Sequence, residues 1–157
     1  LDTEQTMSRV VVRSEGFLSI VKDMPPLITM HHAEIEDSRL PLEPDYATYA
    51  QLEAQGMLHA FSVRDEGKLV GYLTYTSTPS LHHKSIKAAV VDTMFLTPSY
   101  RGGFVGLRML KFAESVLKDR GMVYIVMNIK KEHDFGPMLL RIGYEQSEVQ
   151  YTKYLGE

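Results

Sequence analysis

Hydrophobic positions recur with two different spacings along the chain, and the change of spacing separates predicted strands from predicted helices. A continuous apolar and β-prone run predicts a strand over residues 90–96. Apolar positions three and four apart then predict an amphipathic helix from Val105 to about Arg120. Its apolar stripe consists of Val105, Met109, Phe112, Ala113, Val116 and Leu117. Gly121 is expected to end this helix in a left-handed conformation.

The first part of the chain predicts a strand, then helices and then an antiparallel meander. Ser14 and Asp45 are candidate helix caps, because short polar side chains can accept from the free amides of a first turn. Gly56 is expected to end the helix that Asp45 begins. The predicted elements are strand 8–13, a helix capped by Ser14, helix 26–37, helix 45–55, and strands 58–63, 69–76 and 87–96.

The last part of the chain predicts a strand over 122–129, a short helix from 135 or 136 to 141, and a final strand over 144–155. The order of elements indicates a mixed α/β fold whose sheet is partly antiparallel. With 157 residues, 44% of them hydrophobic, the chain suits one domain with a sizeable core. We assign that domain to residues 8–157 and treat 1–7 as a frayed or added terminus.

Composition excludes several classes of function. The net charge of −3 gives no basic field for nucleic acid, so no nucleic-acid partner is expected. Cysteine is absent, which excludes disulfides and thiol catalysis and fits a cytoplasmic location. No apolar run approaches the roughly 20 residues that a membrane-spanning helix needs, and the first residues show no signal-peptide pattern. No membrane partner is therefore expected.

A glycine-rich turn joins the strand at 90–96 to the amphipathic helix and predicts an anion site. It reads Arg101-Gly102-Gly103-Phe104-Val105-Gly106, and Leu107 follows. The first amides of a helix have no partner within the helix, and glycines let a phosphate approach them closely. A Walker phosphate-binding loop is excluded, because no Lys-Ser/Thr pair follows Gly106. A dinucleotide-binding fingerprint is excluded, because Arg101 stands where its first glycine is needed.

The turn resembles the coenzyme A site of the GNAT N-acetyltransferase family, whose pattern is Arg/Gln-x-x-Gly-x-Gly/Ala. Arg101 and Gly106 match it, whereas Phe104 stands at the inner glycine and Gly103 comes one place early. The resemblance implies acetyl-CoA as cosubstrate, with a cradle of altered shape. It also implies that strands 87–96 and 122–129 run parallel and splay apart. The cofactor would contact the cradle residues Arg101, Gly102, Gly103, Phe104, Val105, Gly106 and Leu107, the strand residues Met94, Phe95 and Leu96, and Asn128.

More closely, the whole chain is similar to small acetyltransferases of phage and prophage genomes. The matching stretches are 42–46, 65–73 and 79–84. The resemblance implies a small-molecule or peptide amine as the acceptor partner. Because relatives often dimerise through their late strands, it also leaves a homodimer open.

Asp92, His82 and His83 are the candidate catalytic residues. Asp92 lies in an otherwise apolar strand, where burial would raise its pKa toward the range of a general base. The resemblance adds that many bacterial relatives carry an acid at this place. A structural cap or an ion pair is the alternative for Asp92. His82 and His83 fall in a polar loop, where they are either acceptor-side groups or solvated side chains. The histidine spacings give no metal site.

Two further residues bear on the resemblance. Leu139 stands where many relatives have a tyrosine that protonates the departing thiolate. Asn128 is either a cofactor ligand or an ordinary turn residue at the end of a strand. Three functions therefore stay open: an N-acetyltransferase acting on a primary amine, a CoA-binding module with little or no catalysis, and a phosphate-ligand protein of another class.

Overall fold

A five-stranded sheet with helices on both faces forms the centre of the computed structural model, which describes residues 9–35 and 39–156. The strands are β1 (Val10–Ser14), β2 (Leu58–Asp65), β3 (Lys68–Pro79), β4 (Lys87–Leu96) and β5 (Tyr124–Val126). The helices are α1 (Phe17–Val21), α2 (Pro25–Ile35), α3 (Tyr46–Ala54), α4 (Val105–Asp119) and α5 (Gly136–Arg141). Short 3-10 turns occupy Pro98–Tyr100 and Lys131–His133. The predicted mixed α/β fold is confirmed.

The sheet is antiparallel from β1 to β4 and parallel only between β4 and β5. Three residue pairs join these two strands, with Ala88 opposite Tyr124 and Val90 opposite Val126 at the limits. Beyond Val90, β4 continues for six residues beside β3 alone, so its other edge is open. The parallel, splayed pair expected from the resemblance is therefore present, with a much shorter β5 than the predicted 122–129.

Each face of the sheet carries its own hydrophobic core. One core packs α4 and α5 against the sheet, with Phe61, Leu73, Tyr75, Met109 and Leu117 fully buried. The other packs α1, α2 and α3 against the opposite face, around Phe17, Ile20, Tyr72 and Phe95. Within the described ranges no helix is both long and apolar enough to cross a membrane.

The predicted helix ends are confirmed in three places and wrong in one. Asp45 caps α3 by accepting from the Thr48 amide at 3.0 Å. Gly56 and Gly121 both have positive φ, at 70° and 84°, just after α3 and α4. Ser14 does not cap α1, because it is the last residue of β1 and Gly16 occupies the cap position.

The final strand predicted at 144–155 is also wrong. This segment is not paired with any described strand. Its alternating residues meet no neighbouring strand, and the side chains of Val149, Tyr151 and Leu155 are 66%, 90% and 85% exposed. Alternation predicts a strand where one face is buried, and here only Tyr144 packs against the core while residues 145–155 are exposed.

We expect Gly71→Ala to lower the free energy of unfolding by about 1–3 kcal/mol, because the new methyl group is forced into a packed backbone. A Cβ at Gly71 would lie 2.8 Å from Leu96 Cδ1 and 2.9 Å from the Phe95 carbonyl oxygen. Gly103→Ala is the matched control, since a Cβ there meets nothing within 4 Å and its φ is not left-handed. Urea unfolding of both variants tests this, and equal stabilities would contradict it.

Candidate functional site

The turn before α4 presents a row of unengaged backbone amides. Helix α4 begins at Val105, and Phe104 at the cap position gives no side-chain cap. The first helical hydrogen bond runs from the Arg108 amide to the Phe104 carbonyl at 2.9 Å. Among the described residues, the amides of 102–107 donate to no backbone or side-chain acceptor. The turn thus offers several donors together with the positive end of the helix dipole.

The surface of this turn is open. Phe104, which replaces the inner glycine of the family pattern, is 58% exposed and therefore does not fill the turn. Gly102 and Gly103 are exposed, and a Cβ at either would meet nothing within 4 Å. Gly102 has a φ of 78°, which a glycine adopts without strain. An anion therefore has steric access to these amides.

Arg101 shapes the turn and does not present a free charge. Its Nε donates to the Leu96 carbonyl at 2.7 Å, and its guanidinium pairs with Glu34 of α2 at 2.8 Å. The guanidinium also lies 5.4 Å from the centre of the Phe95 ring. The positive charge of Arg101 is thus fixed in place but already balanced by a carboxylate.

The open edge of β4 supplies further backbone groups. The amides of Thr93 and Thr97 both donate toward β3, to Thr74 Oγ1 at 3.2 Å and to the Val70 carbonyl at 2.8 Å. Because backbone groups alternate along an antiparallel pair, Met94 and Leu96 direct theirs into the gap beside β5. Phe95 between them faces β3 with its backbone and buries its ring in the core under α2.

Asp92 lies at a β-bulge of β4. Thr74 pairs with Thr93 and Tyr75 with Val91, so Asp92 is the extra residue. Its side chain is exposed, and the burial expected from the apolar strand is therefore wrong, because the bulge turns this residue outward. Oδ2 of Asp92 accepts from the Tyr49 hydroxyl at 2.6 Å and from Thr74 Oγ1 at 3.0 Å. Both donors use the same oxygen, and no described residue donates to Oδ1.

Tyr49 is a rigid partner for this carboxylate. Its ring stacks on Phe17, with centroids 4.3 Å apart and planes 17° from parallel. Burial and the hydrogen bond to Asp92 raise the pKa of the Tyr49 phenol well above its usual value. The hydroxyl therefore remains a donor at all physiological pH values, which keeps Asp92 in one orientation.

His31 of α2 lies on the same face of the sheet as Tyr49. Its Nδ1 is 2.8 Å from the Tyr72 hydroxyl, and its ring packs against Phe95 with centroids 5.1 Å apart. Burial lowers the pKa of His31 to about 4, so the ring is neutral near pH 7. The contacts of His31 with Tyr72 and of Tyr49 with Asp92 do not follow from sequence spacing, because each joins residues more than 40 positions apart.

The other predicted site residues lie apart from Asp92. His82 and His83 are exposed in the loop between β3 and β4. That loop ends at Lys87, five positions before Asp92, which is about 17 Å at strand rise. Asn128 is exposed, two residues beyond the end of β5. Leu139 is buried in α5 and packs in the core against α4.

Solved structures share this whole architecture at low sequence identity. A ribosomal-protein-alanine N-acetyltransferase from Brucella melitensis biovar Abortus 2308 superposes with a TM-score of 0.71 at 18% identity, covering 94% of this chain and 99% of that one. An aminoglycoside acetyltransferase from an uncultured soil metagenomic sample gives 0.71 at 15% identity, with coverages of 96% and 97%. A predicted acetyltransferase with acetyl-CoA from Clostridium acetobutylicum gives 0.67 at 15%, with 93% and 96%. No curated protein matches the chain in sequence.

The open amide turn, the splayed strands and these likenesses define an acetyltransferase fold. Residues 25–135 match the model of the Acetyltransferase (GNAT) family, which is more than half of the chain. The chain therefore belongs to the GNAT family and is an N-acetyltransferase that uses acetyl-CoA.

Proposed function

We propose that the protein moves the acetyl group of acetyl-CoA to a primary amine of a small molecule or peptide. The observation that carries this proposal is the row of unengaged amides at 102–107, beside the gap between β4 and β5. When bound, acetyl-CoA supplies an activated thioester. The phage-type likeness of stretches 42–46, 65–73 and 79–84 belongs to the same proposal, and the acceptor stays unspecified.

Two sets of backbone groups would bind acetyl-CoA. The amides from Gly102 to Leu107 would hold the pyrophosphate, where the helix dipole favours negative charge. The backbone groups of Met94 and Leu96 would hold the pantetheine along the open edge of β4 and donate to the developing oxyanion. Asn128, beyond the end of β5, is a further candidate ligand. Arg101 acts indirectly, because its bonds to Leu96 and Glu34 set the shape of the turn.

Asp92 is the proposed general base. Its Oδ1 is open, while Tyr49 and Thr74 hold Oδ2. In the step, Oδ1 takes a proton from the acceptor ammonium and the freed amine forms the new N–C bond. The C–S bond then breaks to release thiolate, and the second proton of the attacking nitrogen passes to water. Leu139 offers no proton, so the thiolate leaves without a general acid from α5; a thiolate is a good leaving group near neutral pH. His82 and His83 would contact only the far part of an extended acceptor.

A CoA-binding module without catalysis is the competing hypothesis. We favour catalysis because Asp92 has two fixed donors and an open oxygen, an arrangement that simple cofactor binding does not need. Release of free thiol from acetyl-CoA in the presence of a panel of amines, including aminoglycosides, polyamines and peptides, separates the two functions. Binding of acetyl-CoA without any amine-dependent thiol release would leave the binding module.

We expect Phe104→Asp to weaken acetyl-CoA binding by about tenfold to a hundredfold, which corresponds to about 1.4–2.7 kcal/mol. The new carboxylate would lie at the cap position, accept from the amides of the first turn and repel the pyrophosphate. The fold should persist, because the Phe104 side chain is mostly exposed and an aspartate cap stabilises a helix. Calorimetric titration with acetyl-CoA measures the effect.

Phe104→Asn is the matched control for that experiment. Asparagine has nearly the same shape as aspartate and caps a helix N-terminus about as well, but it carries no charge. We therefore expect it to bind acetyl-CoA more tightly than Phe104→Asp does. Wild-type affinity in Phe104→Asp, with the thermal midpoint unchanged, would place the pyrophosphate away from this turn.

A further inference from the structure

A second concave surface lies at the opposite end of the sheet from the amide turn. It is a groove of about 590 Å³ between the end of β1, the end of α3 and the starts of β2 and β4. Helix α4 runs from the amide turn at Val105 to the groove at Arg120, a distance of about 22 Å at helical rise. The groove is therefore separate from the proposed acetyl-CoA site, and its volume is in the range typical of small-molecule sites.

Arg120 is held at this groove by two uncharged partners. One guanidinium nitrogen donates to His59 Nδ1 at 2.9 Å, and the other donates to Ser14 Oγ at 2.9 Å. Among the described residues no carboxylate pairs with Arg120. A guanidinium that is fixed in place yet has no opposite charge is suited to binding an oxyanion through its remaining donors.

His59 stays neutral in this arrangement. It is buried, and burial together with the adjacent Arg120 charge lowers its pKa. Since Nδ1 accepts from Arg120, the ring proton is on Nε2, which donates to Ser77 Oγ at 3.0 Å. The pair of bonds fixes both the tautomer of His59 and the direction of the guanidinium.

The acidic groups of the groove are already engaged. Glu15 accepts from Arg64 and Arg13, and Glu53 accepts from the Phe17 amide at 2.6 Å. Lys87 adds a second cation to the lining, and Met57, Leu58, Pro79 and Met122 add apolar surface. The lining therefore combines two cations, Arg120 and Lys87, and the carboxylate of Glu53 with an apolar floor.

We propose that this groove binds a small molecule with an oxyanion group, phosphate or carboxylate, attached to an apolar body. The oxyanion lies against Arg120, with Lys87 contributing its charge, and the apolar body lies on the methionine and leucine side chains. The site is independent of acetyl transfer and has its own ligand.

Phenyl phosphate and benzoate are suitable probes, and benzyl alcohol is their uncharged counterpart. We would titrate the ¹⁵N-labelled protein with each probe, following the Arg120 Nε–H signal and the amides of residues 14–16 and 57–60. This readout separates the groove from the amide turn, where phenyl phosphate would shift different signals. We expect saturable shifts at millimolar concentrations with at least one of the two anionic probes. Binding of benzyl alcohol should be at least tenfold weaker.

Three variants make the test specific to Arg120. Arg120→Gln should weaken binding of the anionic probe at least tenfold, and Arg120→Lys should weaken it less, because the charge remains without the guanidinium fork. Lys118→Gln removes an exposed cation from the same helical turn outside the groove and should bind as wild type does. Shifts that sodium chloride reproduces at equal ionic strength, or that persist in Arg120→Gln, would overturn the proposal, as would no shift at the groove signals.

Discussion

Replacing Asp92 with asparagine is expected to lower kcat by roughly 10²–10⁴-fold, the range that a general base contributes. The carboxamide oxygen still accepts from Tyr49 and Thr74, so the bulge and the fold should persist. A carboxamide cannot take the proton of the acceptor ammonium. Thiol release at saturating acetyl-CoA, with the best amine found in the panel, measures the effect.

Tyr49→Phe separates positioning from proton transfer. It removes one of the two hydrogen bonds that orient the carboxylate, so we expect kcat to fall by less than in Asp92→Asn while KM for acetyl-CoA stays unchanged. A purely structural role for Tyr49 would lower stability and leave kcat of the folded enzyme unchanged. Turnover of Asp92→Asn within threefold of wild type would remove Asp92 as the base.

Arg64→Met is expected to lower the free energy of unfolding by about 3–5 kcal/mol, the usual cost of removing one partner of a buried ion pair. The Arg64 side chain is 8% exposed and pairs with Glu15 at 2.7 Å, where Glu15 is 10% exposed. Arg64 also bonds Asp23 at 2.8 Å and the Gly67 carbonyl at 2.9 Å. Denaturant unfolding at pH 7 measures the loss.

Arg13→Met is the matched control, because Arg13 bonds the same carboxylate at 3.1 Å but is 53% exposed. An exposed pair contributes about 1 kcal/mol or less. Hydrogen bonds from Arg64, the largest cause, and from Ser62, Ser19 and Arg13 lower the pKa of Glu15 from 4.5 to about 2. That contribution to stability is present above pH 4.5 and is lost as the pH falls toward 2, and Arg64→Met should reduce this dependence more than Arg13→Met does. Equal losses in the two arginine variants would contradict the account of this ion pair.

Local patterns account for what the sequence predicted well. The strand, the glycine-rich turn and helix α4 are contiguous, so periodicity and the conformational freedom of Gly102 and Gly121 were enough to place them. The apolar stripe of α4 is buried at Val105, Met109, Ala113 and Leu117 as expected, with Phe112 partly exposed at its edge. The amide turn follows from the same segment, because unpartnered donors are a property of any helix start.

Long-range contacts account for what the sequence did not predict. The outward turn of Asp92 depends on a bulge in its pairing with β3, and its donors Tyr49 and Thr74 lie 43 and 18 residues away. Alternation over 144–155 predicted a strand, yet its formation needs a free sheet edge that this segment does not meet. The pattern of apolar and polar residues within one segment predicts neither the exposure of Asp92 nor the absence of a strand at 144–155.

The central claim is that the amides of 102–107 and the open edge of β4 hold acetyl-CoA. Titration of the ¹⁵N-labelled protein with acetyl-CoA tests it residue by residue. The account predicts that the largest amide shifts fall on Gly102 to Leu107, accompanied by Met94 and Leu96. Saturable binding whose shifts leave those amides unchanged and fall elsewhere, for example on residues 57–60 of the Arg120 groove, would contradict it.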